Sequence, residues 1–158
     1  MSVTVRGATR DDLDAIEAIE KACFGDPWSR NSLAGEIEGD PRRLPLVAVD
    51  GDDVVAFAFY WVIADEIHLV NVAVAPAHRR QGIAQLLLDH VIEGEVGRNA
   101  AIITLEVRIT NVGAIALYRR NGFRDIALRE KYYPDTGEDA LIMLKRLGPS
   151  ASGGPRGL

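Results

Sequence analysis

Apolar side chains change their spacing along the chain and mark out strands and helices. Val3 and Val5 alternate with polar neighbours, the period of a short edge strand. Leu13, Ile16, Ile19 and Cys23 then recur at helical spacing, and Thr9 followed by Asp12 gives a capping box with Asp in place of Glu. Gly25-Asp26-Pro27 breaks that helix. Ser29 is placed to cap a second helix near residues 31–38, which Gly39-Asp40-Pro41 ends. Residues 46–49 read as a strand, and Asp50-Gly51 is a hairpin signal. The run VVAFAFYWVI at 54–63 predicts a central strand buried on both faces. Ala64-Asp65 turns into a third strand over 66–74, so three successive strands form an antiparallel meander.

After a Pro and a basic, Gly-containing loop, a helical pattern resumes. Ile83, Leu86, Leu87 and Val91 form its apolar face, Leu88 and Ile92 broaden it, and Gly94 and Gly97 end it. His90 on this helix reads as a surface residue. IITLEV at 102–107 predicts a second buried strand. Following a helix, it is free to lie parallel to the preceding strand. Asn111 caps a helix carrying Ala114, Ile115, Leu117 and Tyr118, and Asn121-Gly122 stops it. Strands at 123–129 and 140–147 flank the turn Pro134-Asp135-Thr136-Gly137. These elements predict a layered α/β (α+β) domain over 1–147. The Gly-, Pro- and Ser-rich stretch 148–158 reads as a disordered tail.

Composition narrows the functional classes. The chain has 158 residues, 47% hydrophobic and 26% charged, as expected of one globular domain. A net charge of −5 argues against a general nucleic-acid-binding surface. Cys23 is the only cysteine, so no intramolecular disulfide and no Cys metal cluster is expected, which fits a reducing cytoplasm. Cys23 reads as a small buried side chain rather than a nucleophile. No long apolar run and no leader-like start is seen, so the expectation is a cytoplasmic protein without a membrane partner.

The chemistry concentrates in NVAVAPAHRRQGIAQLLL at 71–88, which reads as strand, loop and helix. Backbone N–H groups at a helix start lack intrahelical partners, and the helix dipole favours anions there. Gly82 lets the backbone approach a ligand, and Arg79 and Arg80 add donors suited to phosphate. Together these predict a pyrophosphate cradle. The plain alternative is a solvated basic turn at an ordinary helix. The dinucleotide fingerprint G-x-G-x-x-G and the P-loop pattern are absent.

Arg79, Gly82 and Ala84 match the R/Q-x-x-G-x-G/A loop of the GNAT superfamily of N-acetyltransferases, with Ala84 in place of the commoner Gly. Leu105-Glu106-Val107-Arg108, Asn111, Ala114, Leu117-Tyr118 and Gly122-Phe123 resemble the second half of the same superfamily. They are most similar to the RimI branch, which acetylates protein N-termini. Pro27-Trp28-Ser29, Tyr132-Tyr133-Pro134 and the run at 138–143 extend the likeness to residues 3–147.

The resemblance implies a mixed, mostly antiparallel seven-stranded sheet flanked by about four helices, with a V-shaped splay between two parallel central strands. It implies acetyl-CoA as co-substrate, no metal, and direct attack by an amine. Glu106 would be the base, directly or through water; its plain alternative is a carboxylate paired with Arg108 or another cation. Tyr118, a phenol of ordinary pKa about 10, would be the acid. Val72, Ala73 and Val74 would meet the donor by their backbone. Arg79, Arg80, Gln81, Gly82, Ile83, Ala84 and Gln85 would hold the pyrophosphate, with Asn111 bonding the cofactor or capping its helix. Tyr132 and Tyr133 would cover the acceptor. Trp28 reads equally as core or as cleft wall, and His68 as an ordinary strand residue. The implied acceptor is the N-terminal alanine of a small-subunit ribosomal protein. The alternatives are a broader N-terminal, lysine or small-amine acetyltransferase, or a non-catalytic acyl-CoA sensor.

Overall fold

Hairpin turns fold the first half of the chain into the meander. In the computed structural model, which describes residues 2–147, β1 (Val3–Gly7) is an edge strand paired antiparallel to β2 (Arg43–Asp50). The expected tail at 148–158 lies outside the described residues. β2 turns through Gly51 into β3 (Asp53–Ile63), and β3 turns through Ala64 into β4 (Glu66–Val74). Between β1 and β2 the chain forms α1 (Leu13–Cys23) and α2 (Arg30–Ile37). Asp12 accepts from the Thr9 N–H at 2.8 Å, the expected half of the capping box, although the box opens a short 3-10 turn leading into α1. Ser29 caps α2 by accepting from the Ser32 N–H at 3.1 Å.

The second half adds α3 (Ile83–Glu93), α4 (Glu95–Asn99), β5 (Ile102–Arg108), α5 (Val112–Arg120), β6 (Arg124–Arg129) and β7 (Ala140–Arg146). The strand order is β1-β2-β3-β4-β5-β7-β6, so β7 enters between β5 and β6. β4 and β5 form the parallel pair; the other neighbours are antiparallel. The sheet separates two cores. Phe57 and Phe59 pack with Ile16, Ile19 and Leu33 on the α1/α2 face. Ala56, Ala58, Tyr60, Ile103, Leu105 and Val107 pack with Leu87, Val91, Ile115 and Tyr118 on the α3/α5 face. β3 is buried on both faces from Val55 to Tyr60, as its apolar run requires.

Three readings of the second half change. Leu86 is exposed; the buried stripe of α3 is Ile83, Leu87, Leu88 and Val91. Gly97 does not terminate α3, which ends at Gly94, but lies inside the short helix α4. A Cβ there would run into the Val91 and Ile92 carbonyl oxygens, so glycine lets α4 fold directly against the end of α3. β5 is buried on one face only: Ile103, Leu105 and Val107 point into the core, whereas Glu106 points to the other side. Among the described residues no helix is long and apolar enough to cross a membrane.

One irregularity shapes the site. Phe59 pairs with Asn71 and Tyr60 with Leu69, leaving Val70 as an extra residue in β4. Such a bulge bends its strand and re-aims the backbone beyond it. The β4–β5 ladder runs from Glu66↔Ile102 to Leu69↔Leu105 and ends there. Past that point the strands diverge, giving the V-shaped splay implied by the resemblance.

Candidate active site

Three cavities meet at the splay. The largest, about 800 Å3, lies along Val72, Ala73 and Val74 and reaches the loop before α3. These three residues pair with β3 on one side and have no β5 partner on the other. Gly82 is the N-cap of α3 with φ +78, and a Cβ there would meet open space. The first intrahelical bond of α3 runs from the Leu86 N–H to the Gly82 carbonyl at 3.0 Å. The N–H groups of Ile83, Ala84 and Gln85 are therefore left for a ligand. Arg80 is exposed at the rim and takes φ +65; Gln81 is exposed but does not line the cavity. Arg79 behaves differently: its guanidinium lies 3.2 Å from Cys23 Sγ and 3.4 Å from the Val74 carbonyl oxygen. The Gln85 side chain ties α3 to α5 through Asn121 at 2.8 Å, so only its backbone N–H is left for a ligand at the helix start. Cys23 is half-buried at this cavity rather than fully in the core.

The central cavity, about 260 Å3, joins the other two. Tyr118 borders it and the large cavity; Glu106 borders it and the third. Tyr118 rises from α5 on the α3/α5 face of the sheet, and its ring lies 5.4 Å from that of Phe123. Burial pushes its phenol up to about 12, above the ordinary value expected from sequence. Glu106 is on the opposite face, and the two come within reach of one cavity because the strands part there. Asn111 caps α5, accepting from the Ala114 N–H at 3.2 Å, and also lines both inner cavities.

The third cavity, about 650 Å3, opens on the other side between Trp28, Trp61, His68, Tyr132 and Tyr133. Trp28 fills both of its readings: its ring packs 6.3 Å from Phe59 and also walls the cleft. Tyr132 and Tyr133 stack edge to face at 5.0 Å. The Tyr132 hydroxyl donates to Glu106 Oε1 at 2.7 Å, and Arg129 sits 3.7 Å from Glu106 Oε2. Glu106 therefore has a cationic neighbour, but not Arg108. Arg108 pairs with Asp135 and Glu138, each at 3.0 Å, and lies 4.0 Å from the Tyr133 ring centre, which fixes the 132–138 turn to the end of β5. Burial is the main reason the Tyr133 phenol is also pushed up to about 12. His68 bonds Thr104 through Nδ1 at 3.1 Å and reaches Glu66 through Nε2 at 3.4 Å.

Sequence reasoning missed Arg129, Trp61, Asn71 and Glu20 at these cavities. Glu20 carried a usable signal, since it falls on the buried stripe of α1 with Leu13, Ile16 and Ile19. An acid placed on an apolar stripe needs specific partners.

Residues 13–123 match the family described as Acetyltransferase (GNAT) family. The chain belongs to the GNAT family. The ribosomal protein bS18-alanine N-acetyltransferase of Escherichia coli K12 is 39% identical over 142 residues, covering 89% of this chain and 95% of that relative. The enzyme of that name from Haemophilus ducreyi is 36% identical over 84% of this chain and 92% of its own length. A crystal structure of the Escherichia coli ribosomal-protein-S18-alanine N-acetyltransferase superposes with a TM-score of 0.85 at 36% identity, covering 92% and 94% of the two chains.

GNAT enzymes take acetyl-CoA as co-substrate, and the donor side of this cleft fits it. Unpaired N–H groups at the α3 start, an open Gly82 and the exposed Arg80 suit a pyrophosphate. The unpaired edge of β4 suits an extended pantetheine arm, which bonds as a strand would.

Proposed function

We propose that this GNAT protein acetylates the α-amine of the N-terminal alanine of ribosomal protein bS18, with Glu106 as general base and Tyr118 as general acid. The observation that carries this reading is the likeness to the Escherichia coli bS18-alanine acetyltransferase across nearly the whole chain, in both sequence and fold. The cleft supports the roles. The acceptor enters between Trp28 and the Tyr132–Tyr133 turn, and acetyl-CoA lies along β4 on the far side. Glu106 takes the amine proton, directly or through water, as nitrogen attacks the thioester carbonyl. Backbone N–H groups of β4 past the bulge polarise that carbonyl. Tyr118 donates to the sulfur as the carbon–sulfur bond breaks, so the proton balance closes with amide and thiol as products.

Acceptor basicity favours an α-amine over lysine. At pH 7 an α-amine of pKa 7.7–8.0 needs about 1 to 1.4 kcal/mol to become neutral, whereas lysine near 10.4 needs about 4.6. The test uses one Ala-initiated peptide containing an internal lysine, with its N-terminus free or blocked. Mass spectrometry should find acetyl on the α-amine of the free form and none on the blocked form. Equal modification of both would establish a lysine or general amine acceptor instead.

A further inference from the structure

Glu20 is a carboxylate that the proposed chemistry does not use, yet it lies at 1% exposure beside the central cavity. Its Oε2 accepts from the Trp28 backbone N–H at 2.9 Å, and its Oε1 accepts from Asn71 Nδ2 at 2.8 Å. The two donors belong to different parts of the cleft. Trp28 lies in the loop between α1 and α2 and walls the acceptor cavity. Asn71 is the first paired residue of β4 past the Val70 bulge, where the splay begins. Pro27, which has no N–H of its own, immediately precedes Trp28, so the Glu20 bond fastens a stretch short of backbone donors. Burying an acid is unfavourable unless its oxygens are satisfied, and burial does push the Glu20 carboxyl up. Its two hydrogen bonds offset that penalty and, in doing so, join the two walls.

We propose that Glu20 is a positioning residue for the acceptor, clasping the Trp28 wall to the β4 bulge and so setting the width of the acceptor mouth. This rests on the acetyltransferase reading given above. The clasp needs two hydrogen-bonding ends rather than a charge. Glutamine keeps an oxygen for the Trp28 N–H and an amide that pairs with Asn71 once the Asn71 amide turns over. Alanine keeps neither. Because the anion-binding end of the donor cavity is built by α3, loss of the clasp changes acceptor binding and not donor binding.

The experiment compares Glu20→Ala and Glu20→Gln with the wild type in two measurements: separate KM values for an Ala-initiated peptide and for acetyl-CoA, and hydrogen exchange of the Trp28 amide by 15N NMR. Glu20→Ala should raise the peptide KM about tenfold or more, leave the acetyl-CoA KM within about twofold, and speed Trp28 exchange about tenfold. Glu20→Gln should stay within about threefold of wild type on every measure. Should Glu20→Ala not fold, Asn71→Ala removes one end of the clasp, and its peptide KM should rise about threefold with the acetyl-CoA KM unchanged. An unchanged peptide KM, or both KM values rising together with lost thermal stability, overturns the proposal. So does a Gln variant as impaired as Ala while Trp28 stays protected, which would assign the role to the charge. If the wild type acetylates no α-amine, the functional reading fails. The clasp is then judged by Trp28 exchange alone, and a Trp28 amide insensitive to Glu20→Ala overturns it.

Discussion

Replacing Tyr118 by Phe isolates one oxygen atom in a site that otherwise keeps its packing. The residue is 7% exposed and its ring rests against Phe123, packing that survives in Phe. With its phenol pushed up to about 12, Tyr118 stays neutral and able to donate throughout the range in which the enzyme is assayed. Complete transfer of its proton to a thiolate, whose thiol titrates near 8.5, is uphill by several kcal/mol. On its proposed role as acid, proton transfer is incomplete in the transition state, where its effect is that of a hydrogen bond to developing charge, about 1.5–3 kcal/mol. That converts to a fall in kcat of roughly ten- to 150-fold. The acetyl-CoA KM should change by less than about twofold, because the interaction strengthens only as sulfur gains charge. Initial rates of thiol release with saturating acetyl-CoA and an Ala-initiated peptide measure both. The pH profile adds a second check: the limbs of kcat between pH 6 and about 10 should be the same in Tyr118→Phe as in wild type. A kcat near wild type would refute the reasoning, as would an alkaline limb that disappears in the variant.

Two further outcomes are expected. Gly82→Val places a branched side chain at φ +78, a strain of about 1–2 kcal/mol, and points new bulk at the donor cavity. The fold should persist by circular dichroism while the acetyl-CoA KM rises about tenfold or more, and unchanged donor affinity in a folded variant would remove the loop from the binding site. Asp12, 6% exposed, is held below the ordinary carboxylate range by its hydrogen-bonded pairing with Arg6 at 2.8 and 2.9 Å. A lowered folded pKa gives stability that is present above the unfolded value near 3.9 and lost as pH falls towards the folded one. Asp12→Asn should therefore lower Tm at pH 7 by about 3–6 °C, from about 1–2 kcal/mol with Arg6 half-exposed, and the gap should close below about pH 4. Melts that differ equally at pH 7 and pH 3 would contradict this.

What the sequence conveyed depends on whether the cause was local. The alternation at Val3 and Val5, the unbroken run of β3 and the cap at Ser29 each rest on neighbours within a few residues, and each element formed where expected. Leu86 was misplaced because residues 83, 87 and 91 repeat at four and leave 86 at the flank of the stripe. Gly97 reads as a stop, yet what it supplies is close backbone approach, visible only once α4 folds onto α3. The hydrogen bond from Tyr132 to Glu106 spans 26 positions and exists because β7 inserts between β5 and β6. No spacing rule encodes that insertion. Arg129 reaches Glu106 for the same reason. The ordinary phenol value assigned to Tyr118 moved because burial is a property of the assembled core.

The parting of β4 and β5 beside the Val70 bulge bears on why the proposed acid and base are separate groups rather than one. The β4–β5 ladder ends at Leu69↔Leu105, next to the bulge; were it to continue, Glu106 and Tyr118 would lie on opposite faces of an unbroken sheet. Where the strands part, the sheet itself becomes the passage. On the proposed reading the acceptor arrives from the face bearing Glu106, Tyr132 and Trp28, and the donor from the face bearing Tyr118 and the start of α3. On the proposed roles a proton is removed on one face and supplied on the other, with no transfer between the two residues. Each can then be tuned by its own surroundings. Glu106 is 36% exposed, beside Tyr132 and Arg129, where solvent can carry its proton away. Tyr118 is enclosed, which on its proposed role keeps a neutral donor ready for the charge that appears when the thioester breaks. A single residue placed between the faces could not have both environments. The opening in the sheet thus gives the proposed base and the proposed acid different surroundings, as well as room for two substrates.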